Sequence, residues 1–583
     1  MRAADAKLLD FLGAAAQLVV PIYQRTYSWT VKECQQLWDD ILRVGEDESA
    51  SAHFMGSVVY VSQRLTTVID TSPLLVIDGQ QRLTTVSLLL EALARRLDAA
   101  GPLDQFSAES IRSRYLIDPE RGGNRAFKLV LTQTDKDTML AVVRQRKLPQ
   151  HCSVRVKENF EFFEQQIAAC QSDVAALCKG LDKLVIVDVA LERGQDNPQL
   201  IFESMNSTGR ALSQADLIRN FVLMGLAPSH QTQLYEDCWR PMELDFGQEV
   251  YASDFDSFMR YYLTVKTGEI PNVKNVYEAF KEHVRSPQKC SEPIDELVAD
   301  LQAFSQYYCA IALKKEPDLA LSRAFEDLRE LKVDVAYPFL LELYHDYKNE
   351  RLSKEDLLAA TRLTESYIFR RAVCGLSANS MRRTFATFLR SIKKEQYLTS
   401  IQSKFARLLS ARRFPNDVEF KREIKVRNLY KIRSGSYWLR RLENHGRRER
   451  VLVDEYTIEH ILPQNPKLSE EWQKALGPEW QQVQATWLHT LGNLTLTGYN
   501  QTYSDRAFCI KRDLEKGGDD KGFRYSPLKL NKGLGQVELW NEKAIQDRAE
   551  RLAGLALKVW MMPAIDDDFW ADSQNEPQLQ SVF

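Results

Sequence analysis

The sequence predicts a multidomain protein, mainly α with α/β parts. Three observations carry that prediction. In the N-terminal part, short apolar runs of strand length alternate with stretches of helical spacing, the pattern of an α/β domain. From about Leu234 to Arg450 strand alternation disappears and helix formers dominate, as in ALSRAFEDLRELKVDVAYPFLLELYHDY. Beyond it, YTIEHILPQNP and LHTLGNLTLTGYN bracket the stretch Tyr456 to Asn500, which carries the most suggestive chemistry of the chain. The expected boundaries are therefore 1–233, 234–450 and 451–562, followed by an acidic tail over 563–583. Length agrees, since 583 residues, 44% of them apolar, suffice for several cores.

Near the N-terminus, LVVPIYQRTYSWT gathers two tyrosines, a tryptophan, Gln24 and Arg25 behind Pro21. Aromatic residues there suit a core, whereas Gln24 and Arg25 need partners or a ligand. HFMGSVVYVS reads as a buried strand, and LLVIDGQQRLTT as a second strand entering a turn. Leu83 to Leu97, LTTVSLLLEALARRL, reads as a packed helix. Strand, Asp78-Gly79 turn and helix start together present backbone N–H groups beside Arg82, an arrangement suited to an anion. Gly79 permits close backbone approach, Arg82 can bond a phosphate through two nitrogens, and Asp78 can hold a metal or a ribose hydroxyl. The same turn serves equally well as a structural connection. Without a Gly-x-x-x-x-Gly-Lys-[Ser/Thr], it is no P-loop.

Residues 99–150 are polar and irregular and predict no element. KLVIVDVAL, 183–191, is a further buried strand, followed by the helix-like QLIFESMN. Asn206 and Gly209 mark a tight turn, and Ser213 with Asp216 reads as a capping box for a helix to about Leu226.

The net charge of −3 hides an asymmetry. Between Met381 and Arg450 stand twenty Lys and Arg against six Asp and Glu, so this stretch carries +14 and the remainder −17. Such an excess can track a polyanion or form a solvated helix face, and Tyr430, Tyr437 and Trp438 interleave with it, able to stack on bases or to pack helices. Nine scattered cysteines without a Cys-x-x-Cys argue for reduced thiols rather than disulfides or zinc. No segment approaches eighteen uninterrupted apolar residues and the start lacks a signal-peptide pattern, so a soluble, cytoplasmic protein with no membrane partner is expected.

A hydrolase cutting a phosphodiester needs a base to activate water and a divalent ion to offset charge on the phosphate. Glu459 and His460 supply a hard oxygen and an imidazole side by side, and Asn493 and Asn500 add amides. Neighbours on a regular strand face opposite ways, so this pair is expected at a strand end or bulge, with Pro463 soon stopping the pairing. The bland alternative is a surface pair with turn asparagines.

The string Glu459-His460-Ile461-Leu462-Pro463-Gln464 resembles the opening of the HNH (His-Me finger) nucleases and their ββα-metal motif. The resemblance implies His460 as general base and Glu459 as metal ligand. It implies that Asn493 orients the His460 loop, that Asn500 completes the metal site from the following helix, and that Lys511 lies near a phosphate. At the other end, IYQRTYSW, HFMGS, IDGQQRLTT and FESMNSTGRALSQADLIRN occur in the order seen in the N-terminal domain of GmrSD-type restriction proteins, whose fold is similar to ParB and sulfiredoxin. That resemblance implies binding and hydrolysis of a nucleoside triphosphate through Asp78, Gly79, Gln80, Gln81 and Arg82. Gln24, Arg25, Asn206 and Asp216 match the same pattern. The family's C-terminal partner is the HNH-like domain, and WNEKAIQDRAERLAGLALKVW looks like the helix that closes it.

Together these readings predict a nucleotide-regulated DNA endonuclease or nickase of bacterial anti-phage defence. It would use Mg²⁺ or Mn²⁺ and act on, or be triggered by, modified double-stranded DNA, with modified cytosine and phosphorothioate as the candidate marks. One such centre makes a double-strand break only with two molecules, as in a homo-oligomer, or two visits. The alternative is a nucleotide-switched DNA-binding or partner-binding protein that cuts nothing.

Overall fold

The computed structural model describes residues 1–62, 73–103, 105–169, 174–192, 196, 201, 203, 213–287, 292–432, 435–453, 455–516 and 519–564. The chain divides into two compact units: Met1–Pro241 with Pro293–Val298, and Met242–Glu292 with Ala299–Phe583. Most described residues are helical, and no described helix is long and apolar enough to cross a membrane.

The first unit is built on a six-stranded mixed sheet. Its strands are β1 (Arg2–Lys7), β2 (Leu18–Val19), β3 (His53–Ser62), β4 (Leu74–Asp78), β5 (Leu129–Val130) and β6 (Leu184–Glu192), in the order β1-β6-β3-β4-β2-β5. Pairing is antiparallel for β1 with β6 and for β3 with β4, and parallel elsewhere. Strands β3, β4 and β6 are the three apolar runs read from the sequence. The helix Gln80–Ala100 is buried along most of its length because its Leu, Val and Ala side chains cover more than one face. It and the helix Val154–Ala169 pack together in the unit's core. Ser213 accepts a hydrogen bond from Asp216 N and starts the helix Gln214–Leu223, as its capping pattern predicts.

The second unit is helical up to a two-stranded pair, β7 (Thr457–His460) antiparallel to β8 (Leu494–Thr497). The helix Glu542–Val559 follows it, and Trp560 stacks on Phe369 with ring centroids 4.1 Å apart. Arg370, itself fully buried, donates to the Trp560 carbonyl at 2.7 Å. A buried charge network also runs through this unit. Asp327 and Glu365, each 1% exposed, share Arg362, Arg441, Arg440 and Arg450 between them.

That network changes the reading of the basic stretch. Lys394, Arg413, Lys421, Lys425, Arg440, Arg441, Arg447 and Arg450 all meet carboxylates of the same unit. Apart from Arg413 and Arg447, whose partners Glu419 and Glu443 lie within the stretch, these cations neutralise acids far off in sequence. Tyr437 and Trp438 are fully buried, and the Tyr437 hydroxyl donates to Glu365, so neither is placed to stack on a base.

Candidate active site

Strand β7 ends at His460, and its register sets Glu459 opposite Thr495 and His460 opposite Leu494. The Glu459 carboxylate meets Lys511; the His460 ring meets His489.

His460 is 4% exposed, with Nε2 3.0 Å from His489 Nδ1. Tyr430 covers both rings, edge-on to His460 at 4.8 Å between centroids and stacked on His489 at 5.4 Å. Burial, then the neighbouring His489 and the Lys511 ammonium, push the His460 imidazole down to about 3. The ring is neutral at ordinary pH and so has one lone pair. If Nε2 donates to His489, that lone pair sits on Nδ1; if His489 donates, it sits on Nε2 and is engaged.

Asn493 clasps the loop that leaves β7. Its Oδ1 accepts from Leu462 N at 2.7 Å and from Trp540 Nε1 at 3.2 Å, and its Nδ2 donates to the carbonyls of Leu462 and Leu488. Ile461 N donates to its main-chain carbonyl. Gly492 explains how a helix gets close enough to help. A Cβ there would come 2.1 Å from the Ile545 carbonyl oxygen, so only glycine lets Glu542–Val559 pack at this distance. From that helix Arg548 donates to the carbonyls of Leu491, Gly492 and Leu494.

Lys511 is fully buried, and its ammonium donates to Glu459 Oε1 at 2.6 Å and to the carbonyls of His460 and Ile461 at 3.2 Å. Its three protons are thereby spent. The phosphate contact expected of Lys511 is not made from this position. The reason is Glu459: a carboxylate only 3% exposed needs a counter-charge, and Lys511 supplies it. Burial still raises the Glu459 carboxyl and lowers the Lys511 ammonium, against their mutual attraction. Asn500 opens the short helix Asn500–Tyr503 and donates through Nδ2 to Thr457 Oγ1 at 3.2 Å and the Ile458 carbonyl at 3.0 Å. Its oxygen is the other polar end of the amide. Among the described residues no group of three or more His, Cys, Asp and Glu side chains could hold a metal ion, a statement that leaves asparagine oxygens aside.

In the first unit, Asp78 ends β4 and Gly79, at φ +98°, turns into the helix Gln80–Ala100, whose start no side chain caps. Arg82 donates to the Asp78 carboxylate at 3.1 Å and to the Met55 carbonyl at 2.9 Å. The three glutamines are buried and occupied. Gln81 accepts from Ser28 N and Trp29 N and donates to the Thr26 carbonyl; Gln80 donates to the Arg25 carbonyl and Gln24 to that of Ile77. They fasten the aromatic segment onto the strand-to-helix turn. A cavity of about 10 Å³, lined by Arg25, Tyr27, Gln80, Gln81, Thr132 and Asp135 among others, has room for one water. Asp216 accepts from Arg219, which also donates to the Tyr23 carbonyl. Asn206 lies outside the described residues.

The N-terminal domain of the GmrSD restriction endonucleases matches residues 8–223, and their C-terminal domain matches residues 414–555. The matches occur in that order and together span more than half of the chain. The chain belongs to the GmrSD restriction endonuclease family. No curated protein matches it. Membership in the GmrSD family makes nucleic-acid hydrolysis the class of activity and DNA the partner. The GmrSD C-terminal match takes in Tyr430 as well as β7 and β8. His489 was not among the residues singled out from the sequence, although it stands four residues before Asn493 in LHTLGNL. The parts of Trp540 and Arg548 in holding Asn493 and its neighbours left no local sign.

Proposed function

We propose that this protein is a nucleotide-regulated, metal-dependent DNA endonuclease or nickase of bacterial anti-phage defence, acting on or triggered by modified DNA. The observation that carries this reading is the neutral His460 ring at the end of β7, held by His489 and Tyr430 and followed by a loop that Asn493 clasps. His460 Nδ1 takes a proton from water as the water oxygen bonds to phosphorus. The bond from phosphorus to the leaving oxygen then breaks, and the imidazolium later gives its proton to solvent or to that oxygen. The oxygens of Glu459 and Asn500 would hold Mg²⁺ or Mn²⁺, which offsets charge on the phosphate. Hard oxygen donors fit such an ion, and Glu459 would share its carboxylate between it and Lys511.

In this reading residues 451–562 form the ββα-metal (HNH-like) nuclease domain, 234–450 a helical connection, and 1–233 a ParB/sulfiredoxin-like sensor. Nucleotide binding by Asp78, Gly79, Gln80, Gln81 and Arg82, with Gln24, Arg25 and Asn206, is supported by the partly exposed Asp78–Arg82 pair at an uncapped helix start. A nucleotide that takes Gln80 and Gln81 has to release the Arg25–Trp29 segment they hold, which gives binding a structural consequence.

The second reading, a nucleotide-switched binding protein without nuclease activity, draws support from Glu459 being engaged by Lys511. Supercoiled plasmid carrying or lacking modified bases or phosphorothioate separates the two when incubated with Mg²⁺ or Mn²⁺, with and without nucleotide. Nicking that requires the ion and responds to mark or nucleotide is the expected result. No cutting under any of these conditions leaves the binding switch.

A further inference from the structure

A cavity of about 420 Å³ opens beside the helix Glu542–Val559, its walls including Lys532, Leu534, Trp540, Lys543, Arg548 and Arg551. That volume suits a small ligand group. The charge of its lining is lopsided. Asp547 is the one acidic lining residue, and Lys543 stands 3.5 Å from it. Elsewhere in this unit buried guanidinium groups meet carboxylates, as Arg362, Arg440, Arg441 and Arg450 do at Asp327 and Glu365. Arg548 is only 5% exposed and bonds main-chain carbonyls alone, while its Nε has no hydrogen-bond partner among the described residues. Among the described residues Arg551 reaches only the Leu530 carbonyl, at 3.5 Å. Burial first, and then the neighbouring Arg551, push Arg548 down to about 9.

We propose that this cavity binds a phosphate group, with the exposed Lys532 and Arg551 as its direct contacts and buried Arg548 supplying charge from behind. Guanidinium and ammonium groups beside an apolar lining of Leu534 and Trp540 supply the two or more donors a phosphate ester needs. The phosphate comes either from the backbone of a nucleic acid or from a free nucleotide. Occupancy has a route to the catalytic loop: Trp540 bonds Asn493 Oδ1, and Arg548 holds the carbonyls on either side of Asn493. The binding itself does not depend on the chain cutting DNA.

The test uses the full chain in EDTA. Binding of a labelled duplex is followed by anisotropy across a salt series, and inorganic phosphate and ATP are titrated by calorimetry. The double variant Lys532→Gln/Arg551→Gln changes two exposed side chains, and Lys558→Gln, on the same helix but outside the cavity lining, is the control. Expected is a loss of at least about tenfold in affinity for the double variant, with the salt slope for duplex reduced by about two, and no change for the control. Loss confined to duplex identifies a backbone phosphate; loss confined to ATP or inorganic phosphate identifies a free one. Equal binding of every probe by wild type and the double variant, or no binding by wild type, overturns the proposal.

Discussion

His460 and His489 share one hydrogen bond, and its direction decides whether His460 has a lone pair to offer water. Replacing His489 by alanine is expected to slow cutting by about 10²-fold, the low end of what a positioned base contributes. His489→Asn, whose side-chain oxygen can accept where Nδ1 did, is expected to keep most of the rate. Single-turnover cleavage measures both, and ¹⁵N spectra of the imidazoles report the tautomer directly; equal rates for Ala and Asn would mean that His489 only fills space. The pH dependence follows from burial. His460 titrates near 3 when folded, below the unfolded value of about 6.5, so the folded state holds fewer protons. Its contribution to stability is present above about pH 6.5 and is lost as pH falls toward 3. The rate is accordingly expected to stay level between pH 6 and 7.5 on account of this group, and a loss centred near 6.5 would contradict a buried neutral base. Lys511 makes a separate prediction. Lys511→Met leaves Glu459 charged, buried and unpaired, at a cost of about 3–5 kcal/mol, much of which Glu459→Gln should restore in urea unfolding.

At the scale of elements, β7, β8 and the helix Glu542–Val559 hold the site together, and Gly492 is where they touch. Gly492→Ala forces a Cβ against the Ile545 carbonyl, so the helix must shift; a loss of about 1–3 kcal/mol is expected in thermal or urea unfolding, together with slower cutting. An unchanged midpoint would mean that the helix is not held this tightly. Strands β3, β4 and β6 were legible because buried strands read as continuous apolar runs. Strand β1 was not, since Arg2–Lys7 lies on an exposed sheet edge and carries no apolar pattern, and β2 and β5 are two residues each, too short for any periodicity. The partners of a buried charge were equally hidden: nothing near Arg440 points to Asp327, more than a hundred residues away. The hold of Asn493 on the loop after His460 was readable from local motif; the pairing of His460 with His489 was not, because it depends on which ring lies beside it in space.

At the scale of the whole molecule, family membership agrees with the proposed centre at His460, while the local excess of positive charge points elsewhere than its sequence suggested. Residues 381–450 spend many of their charges on internal pairs, whereas Lys532, Arg548 and Arg551 line a cavity beside the helix Glu542–Val559. Charge in a linear stretch reports composition; only the fold decides what is left over for a polyanion. The two compact units carry the two candidate sites separately, so a variant in one should leave the local chemistry of the other intact. Arg82→Ala is expected to lower nucleotide binding severalfold in a direct titration without altering the His489-dependent tautomer of His460; unchanged nucleotide affinity would remove Arg82 from that site. The most direct test of a catalytic centre at His460 is conversion of supercoiled plasmid to nicked circle by wild type and His460→Ala in Mg²⁺, with nucleotide hydrolysis followed in the same samples. Nicking that falls by at least about 10²-fold while hydrolysis continues is the expected result; undiminished nicking by His460→Ala would contradict the assignment.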